Sequence, residues 1–143
     1  MKITSRGRYA LKVMIDIAEQ NSDDFVKLND VAERHNISEK YLESIIASLA
    51  KAGLLIGVRG KGGGYKLSKK PEEYTVGSIL KITEGSLTPV SCLDCKPNSC
   101  TSVSECRTLP LWQGLDKVID DYLESVTIAD LAFNKNDGDN YVI

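Results

Sequence analysis

The sequence has no apolar run longer than three residues, and Leu54–Ile56 is one example. No segment therefore has the length of a membrane span, and the basic amino terminus has no apolar stretch behind it of the kind that a secretory signal needs. The single histidine, His35, excludes mechanisms that need several imidazoles. Because the chain also shows no serine–histidine–aspartate set, we expect a cytoplasmic protein that has no membrane partner and is not an enzyme.

Cysteine is absent except in one short segment, which holds Cys92, Cys95, Cys100 and Cys106. Without an export signal, this clustering favours metal or redox chemistry over a disulfide framework. Four soft thiolates within fifteen residues can wrap one metal centre. Iron–sulfur clusters are held in this way, whereas structural zinc more often uses two paired knuckles, and only Cys92 and Cys95 form one. A thiol–disulfide switch is a further reading, and inert cysteines are disfavoured because the four lie on no apolar stripe.

The net charge of −2 conceals two halves of opposite sign. Residues 1–70 hold 13 Lys/Arg and 8 Asp/Glu, a net charge of +5, whereas residues 71–143 hold 5 and 12, a net charge of −7. A basic amino half indicates a footprint for a polyanion, although an ordinary solvated surface would look the same without a motif beside it.

The first fifty residues have the periodicity of three helices. An apolar stripe at helical spacing covers residues 5–19, Asn29 is a candidate cap for a short second helix, and Ser38 is a candidate N-cap for a third helix that ends at Gly53. The third helix buries one face and exposes polar residues on the other. Two helices joined by a tight polar turn are typical of a helix-turn-helix.

The segment after the third helix has the pattern of a β-hairpin. Leu54–Ile56 and Tyr65–Leu67 are strand-like and flank residues 57–64, of which five are glycine. Arg59 and Lys61 are the long side chains of this loop, so the hairpin resembles the wing of a winged helix. Thr75 can then cap a fourth helix that closes at Gly85.

The carboxyl half has a stretch without period, 86–107, followed by a long amphipathic helix near 110–125. Thr127 can cap a last short helix. We therefore predict a mainly α-helical protein with a small β-hairpin wing. Its parts are a winged helix-turn-helix DNA-binding domain at 1–85, a cysteine-rich loop at 86–107, and a long helix with a tail at 108–143.

These features together predict binding to double-stranded DNA. Ser38, Lys40 and Glu43 lie at the start of the third helix, the end that usually meets base edges, and Arg59 is placed to enter a minor groove. The alternative is that the charged residues form ordinary surface pairs and the glycines only a tight turn. The predicted DNA-binding residues are Arg6, Arg8, Tyr9, Ser38, Lys40, Tyr41, Glu43, Arg59, Lys61, Gly62 and Gly63.

Five segments resemble a bacterial family of winged-helix transcription regulators that includes IscR, NsrR and CymR. They are MKITSRGRYAL, ISEKYLESIIASLAKAGLL, VRGKGGGYKL, VGSILKITEG and CRTLPLW, and the match runs from Met1 to about Phe133. The resemblance implies a homodimer crossed through the long helix, with two winged helices on a palindromic operator. It also implies an iron–sulfur cluster on Cys100 and Cys106 together with Cys92 or Cys95, with 2Fe-2S favoured over 4Fe-4S.

Two departures leave the fourth cluster ligand open. Leu109 stands where members of the IscR kind have a histidine, and Arg8 stands where the nitric-oxide-sensing kind has an aspartate. The extra cysteine of the Cys92/Cys95 pair is our candidate. CymR-like members lack the cysteines and respond through a partner enzyme of cysteine synthesis.

Our hypothesis is therefore a dimeric repressor whose operator binding depends on a cluster. The main alternative is the same fold controlled by thiol oxidation or by a partner enzyme of cysteine metabolism. A zinc-binding protein-interaction module is a third reading, from a different functional class.

Overall fold

The computed structural model describes residues 2–20, 24–94 and 106–134. The helices in these ranges are α1 (Ser5–Gln20), α2 (Leu28–His35), α3 (Glu39–Lys51), α4 (Val76–Glu84), α5 (Leu109–Ser125) and α6 (Ile128–Phe133). The strands β1 (Leu55–Val58) and β2 (Gly64–Leu67) lie between α3 and α4, and single turns of 3-10 helix occupy Pro71–Glu73 and Ser91–Leu93. The predicted fold class, mainly helical with one antiparallel hairpin and a long helix near the carboxyl end, is confirmed.

Three of the predicted N-caps are present. The side chains of Ser38, Thr75 and Thr127 accept main-chain hydrogen bonds at the starts of α3, α4 and α6. The predicted cap Asn29 is wrong, because Asn29 lies inside α2 and the residue before that helix is Lys27, whose side chain makes no capping hydrogen bond. Asn29 was predicted as a cap from its residue type alone. The start of α2 is instead set by the main-chain pairing of Val26 with β2, which ends just before the helix.

The core is formed where α1, α3, α4 and α6 meet beneath the hairpin. Fully buried side chains from each of these helices pack in one cluster, to which α6 contributes Ile128 and Ala132. The helix α6, which follows residue 108 in the chain, thus packs with the amino-terminal helix. The predicted domain boundaries stay a prediction. The other large members of the core are Val13, Met14, Val31, Leu42, Ile45, Ile46, Leu49, Tyr74 and Ile79.

The two strands reach further toward the tip of the hairpin than the sequence predicted, because β1 continues to Val58 and β2 begins at Gly64. Leu55 pairs with Leu67 and Val58 with Gly64, and Val26 adds a two-residue bridge on the outer side of β2. Val26 and Tyr65 exchange two main-chain hydrogen bonds of 2.8 Å. One isolated pair has no periodicity, so sequence patterns could not predict it. Among the described residues, none of the helices is both long and apolar enough to traverse a bilayer.

Candidate nucleic-acid interface and cysteine segment

The outward face of α3 is mostly polar because the leucine and isoleucine residues of this helix are all in the core. Leu42, Ile45, Ile46 and Leu49 are buried, so the side chains a quarter to half a turn away from them point to solvent. Lys40 and Glu43 are exposed near the start of the helix. Ser38 caps the helix by accepting a 3.1 Å hydrogen bond from the main-chain N–H of Tyr41. The predicted base-reading residues Ser38, Lys40 and Glu43 are therefore all exposed near the start of α3.

The start of α1 packs directly against this face of α3. The Arg6 guanidinium donates to the Ser48 hydroxyl at 2.7 Å, and to the hydroxyl and carbonyl oxygens of Ser44 at 3.1 Å each. Tyr9 meets Tyr41 edge to face, with ring centroids 6.0 Å apart. In the structure the Arg6 guanidinium joins α1 to α3, and the phosphate contact predicted for Arg6 stays a prediction.

Arg8 lies between Arg6 and Tyr9 in α1 and is exposed. Arg6 and Tyr9 thus touch α3 directly, through Ser48 and Tyr41. Sequence reasoning could not identify Ser44 and Ser48 as partners of Arg6, because about forty residues separate them in the chain.

The tip of the hairpin carries its two basic side chains on a glycine frame. Arg59 and Lys61 are exposed, and the neighbouring Gly60 and Gly62 have φ angles of 102° and 81°, which favour glycine. Gly63 is required for a different reason, since a Cβ at this position would overlap the carbonyl oxygen of Val58. The glycines therefore form a narrow turn that presents two cations.

A buried carboxylate ties α1 to the end of α2, immediately before the turn that leads to α3. Asp16 accepts hydrogen bonds of 2.9 and 2.6 Å from the Arg34 guanidinium and contacts His35 Nε2 at 2.9 Å, and Gln20 Nε2 donates to it at 3.4 Å. Burial by itself raises the pKa of Asp16, but the hydrogen bonds from Arg34 and His35 outweigh burial and hold the pKa below its usual value. The next residue, Asn36, ends α2 in the left-handed conformation, with φ 51°.

This Asp16 cluster was not predicted, although the sequence carries a signal for it. Asp16 falls within the apolar stripe of α1, between Met14 and Ile17, where an acidic residue needs a buried partner. The partner itself comes from another helix.

Hydrogen bonds hold the amino-terminal end of the cysteine segment, which we define as residues 92–106. Cys92 is half-buried within the 3-10 turn Ser91–Leu93, and the next acidic residue, Asp94, accepts hydrogen bonds from the hydroxyls of Ser86 and Thr88. These two hydrogen bonds lower the pKa of Asp94, which favours the carboxylate form. Cys92 therefore has a defined position close to the end of α4.

The other described cysteine, Cys106, lies at the entrance to α5. Its thiol is free and half-buried, 3.5 Å from the Thr108 hydroxyl. The Thr108 hydroxyl and the main chain of Thr108 and Leu109 lower the pKa of Cys106, because they donate hydrogen bonds to the thiolate. The thiolate is the form that binds metals and attacks disulfides. The predicted ligands Cys95 and Cys100 lie outside the described residues.

The long helix α5 has an apolar face that nothing in the described chain covers. None of its residues is fully buried, and Leu111, Val118 and Tyr122 are 60–65 % exposed. On the opposite side, Lys81 of α4 holds Asp120 at 2.7 Å and Glu124 at 3.1 Å. An exposed apolar stripe of this kind marks an interaction surface.

Comparison with known proteins gives a consistent result. Residues 3–134 match the Rrf2 family, described as iron-dependent transcriptional regulators. The regulator IscR of Aliivibrio salmonicida is 38 % identical over 131 residues, which are 92 % of this chain and 77 % of that protein.

Two solved structures are similar over most of their length. The CymR structure of B. subtilis superposes with a TM-score of 0.76 at 33 % identity, covering 92 % of this chain and 96 % of that one. The IscR structure of T. potens has a TM-score of 0.72 at 34 % identity, covering 100 % of this chain and 93 % of that one.

A capped helix-turn-helix followed by a basic, glycine-rich hairpin defines a winged-helix DNA-binding protein. It is a transcriptional regulator and not an enzyme, as the sequence predicted. The chain belongs to the Rrf2 family.

Proposed function

We propose that this Rrf2-family regulator is a cytoplasmic dimeric repressor whose binding to a palindromic operator is controlled by an iron–sulfur cluster on its cysteine segment. One observation carries the proposal. The first and last cysteines of the segment, Cys92 and Cys106, are free and half-buried at its two ends, and the second of them leads directly into α5. A change at the cysteines is therefore adjacent to the helix with the uncovered apolar face.

The proposed DNA contacts are of two kinds, those that read bases and those that bind the backbone or hold the surface together. Lys40 and Glu43 on the exposed face of α3 would meet base edges in the major groove, since a carboxylate accepts from the cytosine amino group and is repelled by phosphate. Arg59 and Lys61 on the wing would enter the flanking minor groove, while Arg8 would contact phosphate. Tyr9, Tyr41, Gly62 and Gly63 complete the proposed surface, and Arg6 contributes by holding α1 to α3.

The proposed dimer uses the apolar face of α5. Leu111, Leu115, Val118 and Tyr122 are each at least 40 % exposed, which leaves a contiguous helical stripe in water unless a second copy covers it. A two-fold pair of winged helices would then address half-sites about one helical turn apart, roughly 34 Å.

The donor set suits the proposed cluster. Cysteine thiolates are the usual ligands of iron–sulfur centres, and the lowered pKa of Cys106 favours the ligand form. Cys92, Cys95, Cys100 and Cys106 would hold the cluster, and 2Fe-2S is favoured over 4Fe-4S. When bound, the cluster would supply a link between the two ends of the segment that responds to iron supply or oxidation.

What the chain itself contributes is the connection between cysteines and DNA. Cys106 precedes the first residue of α5 by three positions, and the ion pairs of Lys81 hold α5 to α4 in the DNA-binding half. A coupling free energy of about 1–3 kcal/mol, or roughly 5–150-fold in operator affinity, is typical of such two-site regulation.

The same residues also favour one alternative. A thiol with a lowered pKa is a good target for oxidation, so a disulfide between two of the four cysteines could replace the cluster as the signal. A similar solved structure is that of CymR, named as the global cysteine regulator of B. subtilis. Control by cysteine metabolism is therefore the second candidate function.

The deciding experiment is anaerobic purification with iron and sulfide counts per chain, a visible absorption spectrum, and gel shifts on the DNA upstream of the chain's own gene. We expect a coloured protein, with colour lost in Cys106→Ser and retained in Ser91→Ala, which changes a neighbour of Cys92. Operator affinity should change with the colour.

Three outcomes would contradict parts of the proposal. A colourless, iron-free protein that still retards DNA would support the thiol- or partner-controlled alternative. Equal promoter affinity of the reconstituted protein and its quadruple Cys→Ser variant would remove cluster control. No retardation with or without iron would favour a zinc-binding interaction module.

A further inference from the structure

Tyr74 is the one large polar side chain that lies in the centre of the described core. Its residue is only 1 % exposed, and it immediately follows the 3-10 turn Pro71–Glu73 that connects the wing to α4. A buried tyrosine hydroxyl needs hydrogen-bond partners, and their identity shows what the residue holds together.

The hydroxyl of Tyr74 forms hydrogen bonds to the chain on both sides of the hairpin, just before β1 and just after β2. It donates to the carbonyl oxygen of Leu54 at 2.8 Å, directly before β1. It accepts from the main-chain N–H groups of Ser68 and Lys69 at 2.9 Å each, directly after β2. The Ser68 hydroxyl lies 3.1 Å from the same oxygen, so four polar groups at the base of the wing surround the Tyr74 hydroxyl.

The direct hydrogen bond between the two chain segments at the base of the wing is longer than the bonds to the Tyr74 hydroxyl. Ser68 N–H also points to the carbonyl of Leu54, but at 3.4 Å. The Ser68 hydroxyl is bound to the Gly53 carbonyl at 2.7 Å. The Tyr74 hydroxyl therefore makes the main hydrogen bonds that join the two segments at the base of the wing.

The main chain of Tyr74 is joined to a different part of the molecule. Its carbonyl accepts from Ile128 N–H at 2.9 Å, and Thr75 bridges Thr127 in an antiparallel pair. Val76 N–H donates to the Val126 carbonyl at 2.8 Å. These bonds anchor the short connection between α5 and α6.

We propose that Tyr74 is a positioning residue for DNA binding, which sets the wing relative to the α5–α6 connection through its hydroxyl on one side and its main chain on the other. This inference rests on the proposed DNA-binding function. Removing the hydroxyl takes this acceptor from the Lys69 N–H and leaves the Leu54 carbonyl and the Ser68 N–H with their longer 3.4 Å contact to each other. The base of the wing should therefore open more often, while the aromatic ring keeps the core filled.

The test compares Tyr74→Phe with the wild-type full chain. The matched control is Tyr65→Phe, which removes the same atom from a wing tyrosine for whose hydroxyl the described structure shows no hydrogen bond. Amide hydrogen exchange is measured by NMR. In Tyr74→Phe we expect Ser68 and Lys69 to exchange about tenfold faster, with the amides of α1 unchanged.

DNA titration provides the functional measurement. Tyr74→Phe should lower affinity about three- to tenfold, and should have no further effect in an Arg59→Ala/Lys61→Ala background, because both basic contacts of the wing are then already absent. Tyr65→Phe should bind as the wild type does. A circular dichroism melt of each variant verifies that it is folded at the temperature of measurement.

The outcomes separate this inference from the proposed function. If the wild type does not retard DNA, the proposed function fails, and the exchange rates still decide whether Tyr74 holds the wing base. If the wild type binds but Tyr74→Phe matches it in both measurements, the positioning role is overturned. Additive effects of Tyr74→Phe and the Arg59→Ala/Lys61→Ala pair would also overturn it, since the hydroxyl would then act by another route than the wing.

Discussion

Replacing Asp16 with asparagine tests the main polar contact between α1 and α2. The change keeps the size of the side chain but removes its negative charge, so Arg34 loses a two-pronged acceptor and His35 loses its carboxylate partner. Asp16 is 6 % exposed, which places the carboxylate in the interior. The contact lies one turn before α3, so its loss affects both folding and the placement of that helix.

The expected loss of stability follows from the burial of each partner. Removing one member of a fully buried ion pair costs about 3–5 kcal/mol. The Arg34 side chain is 41 % exposed and can regain water, so we expect a smaller loss in the free energy of unfolding, about 2 kcal/mol. For a chain of this size the melting temperature should fall by about 6–8 °C.

The assay is thermal and urea unfolding at one fixed protein concentration, because dimerisation makes the melting temperature depend on concentration. The matched control is Asp121→Asn, which removes a carboxylate that is 62 % exposed and paired only with Lys117 one helical turn away. This control should melt like the wild type. If Asp16→Asn shifts the melting temperature no more than Asp121→Asn does, the buried cluster does not stabilise the fold.

The same cluster predicts a pH dependence. The folded-state pKa of Asp16 is lowered from its usual value of 3.8, since the bonds from Arg34 and His35 exceed the opposing effect of burial. A lowered carboxyl pKa contributes stability that is complete above the unfolded-state pKa and is lost as the pH falls through the folded-state pKa. The difference in free energy of unfolding between wild type and Asp16→Asn should therefore be constant near neutral pH and shrink below about pH 4. A difference that grows on acidification would contradict this sign.

Three further changes address the proposed surfaces. Gly63→Ala should weaken DNA binding more than Gly62→Ala in a fluorescence titration. The methyl group added at Gly63 overlaps the Val58 carbonyl, whereas the methyl group added at Gly62 meets open space, although at a strained φ. Equal affinities of the two variants would contradict this prediction. Glu43→Ala should relax base preference more than it lowers affinity, and an unchanged selectivity profile across operator variants would show that Glu43 is not a reader. Val118→Glu, at a position 65 % exposed on α5, should convert the dimer to a folded monomer in sedimentation, and an intact dimer would exclude this face of α5 as the interface.

The local structure followed closely from local signals. Ser38, Thr75 and Thr127 cap helices because a short hydroxyl side chain satisfies main-chain N–H groups within three residues of its own position. Asn29 shows the limit of such signals, since a capping side chain competes with tertiary pairing that decides where a helix starts.

The exposure of the candidate site residues could be predicted from the sequence, but their contacts with one another could not. Placing Lys40, Glu43 and Arg59 on exposed surfaces required only the periodicity of α3 and the glycines of the wing. The use of Arg6 to hold α1 against α3 could not be predicted, because a lone arginine near the amino terminus has the same pattern whether it binds phosphate or protein.

The amino-acid sequence by itself determined where the helices and the hairpin form and which faces are apolar, because these depend on side chains within a turn or two of one another. The tertiary structure alone decided that Asp16 meets Arg34 and that the Tyr74 hydroxyl meets both legs of the wing. Those contacts depend on how helices far apart in the chain pack against one another, and a buried polar atom receives its partners only after the core around it has formed.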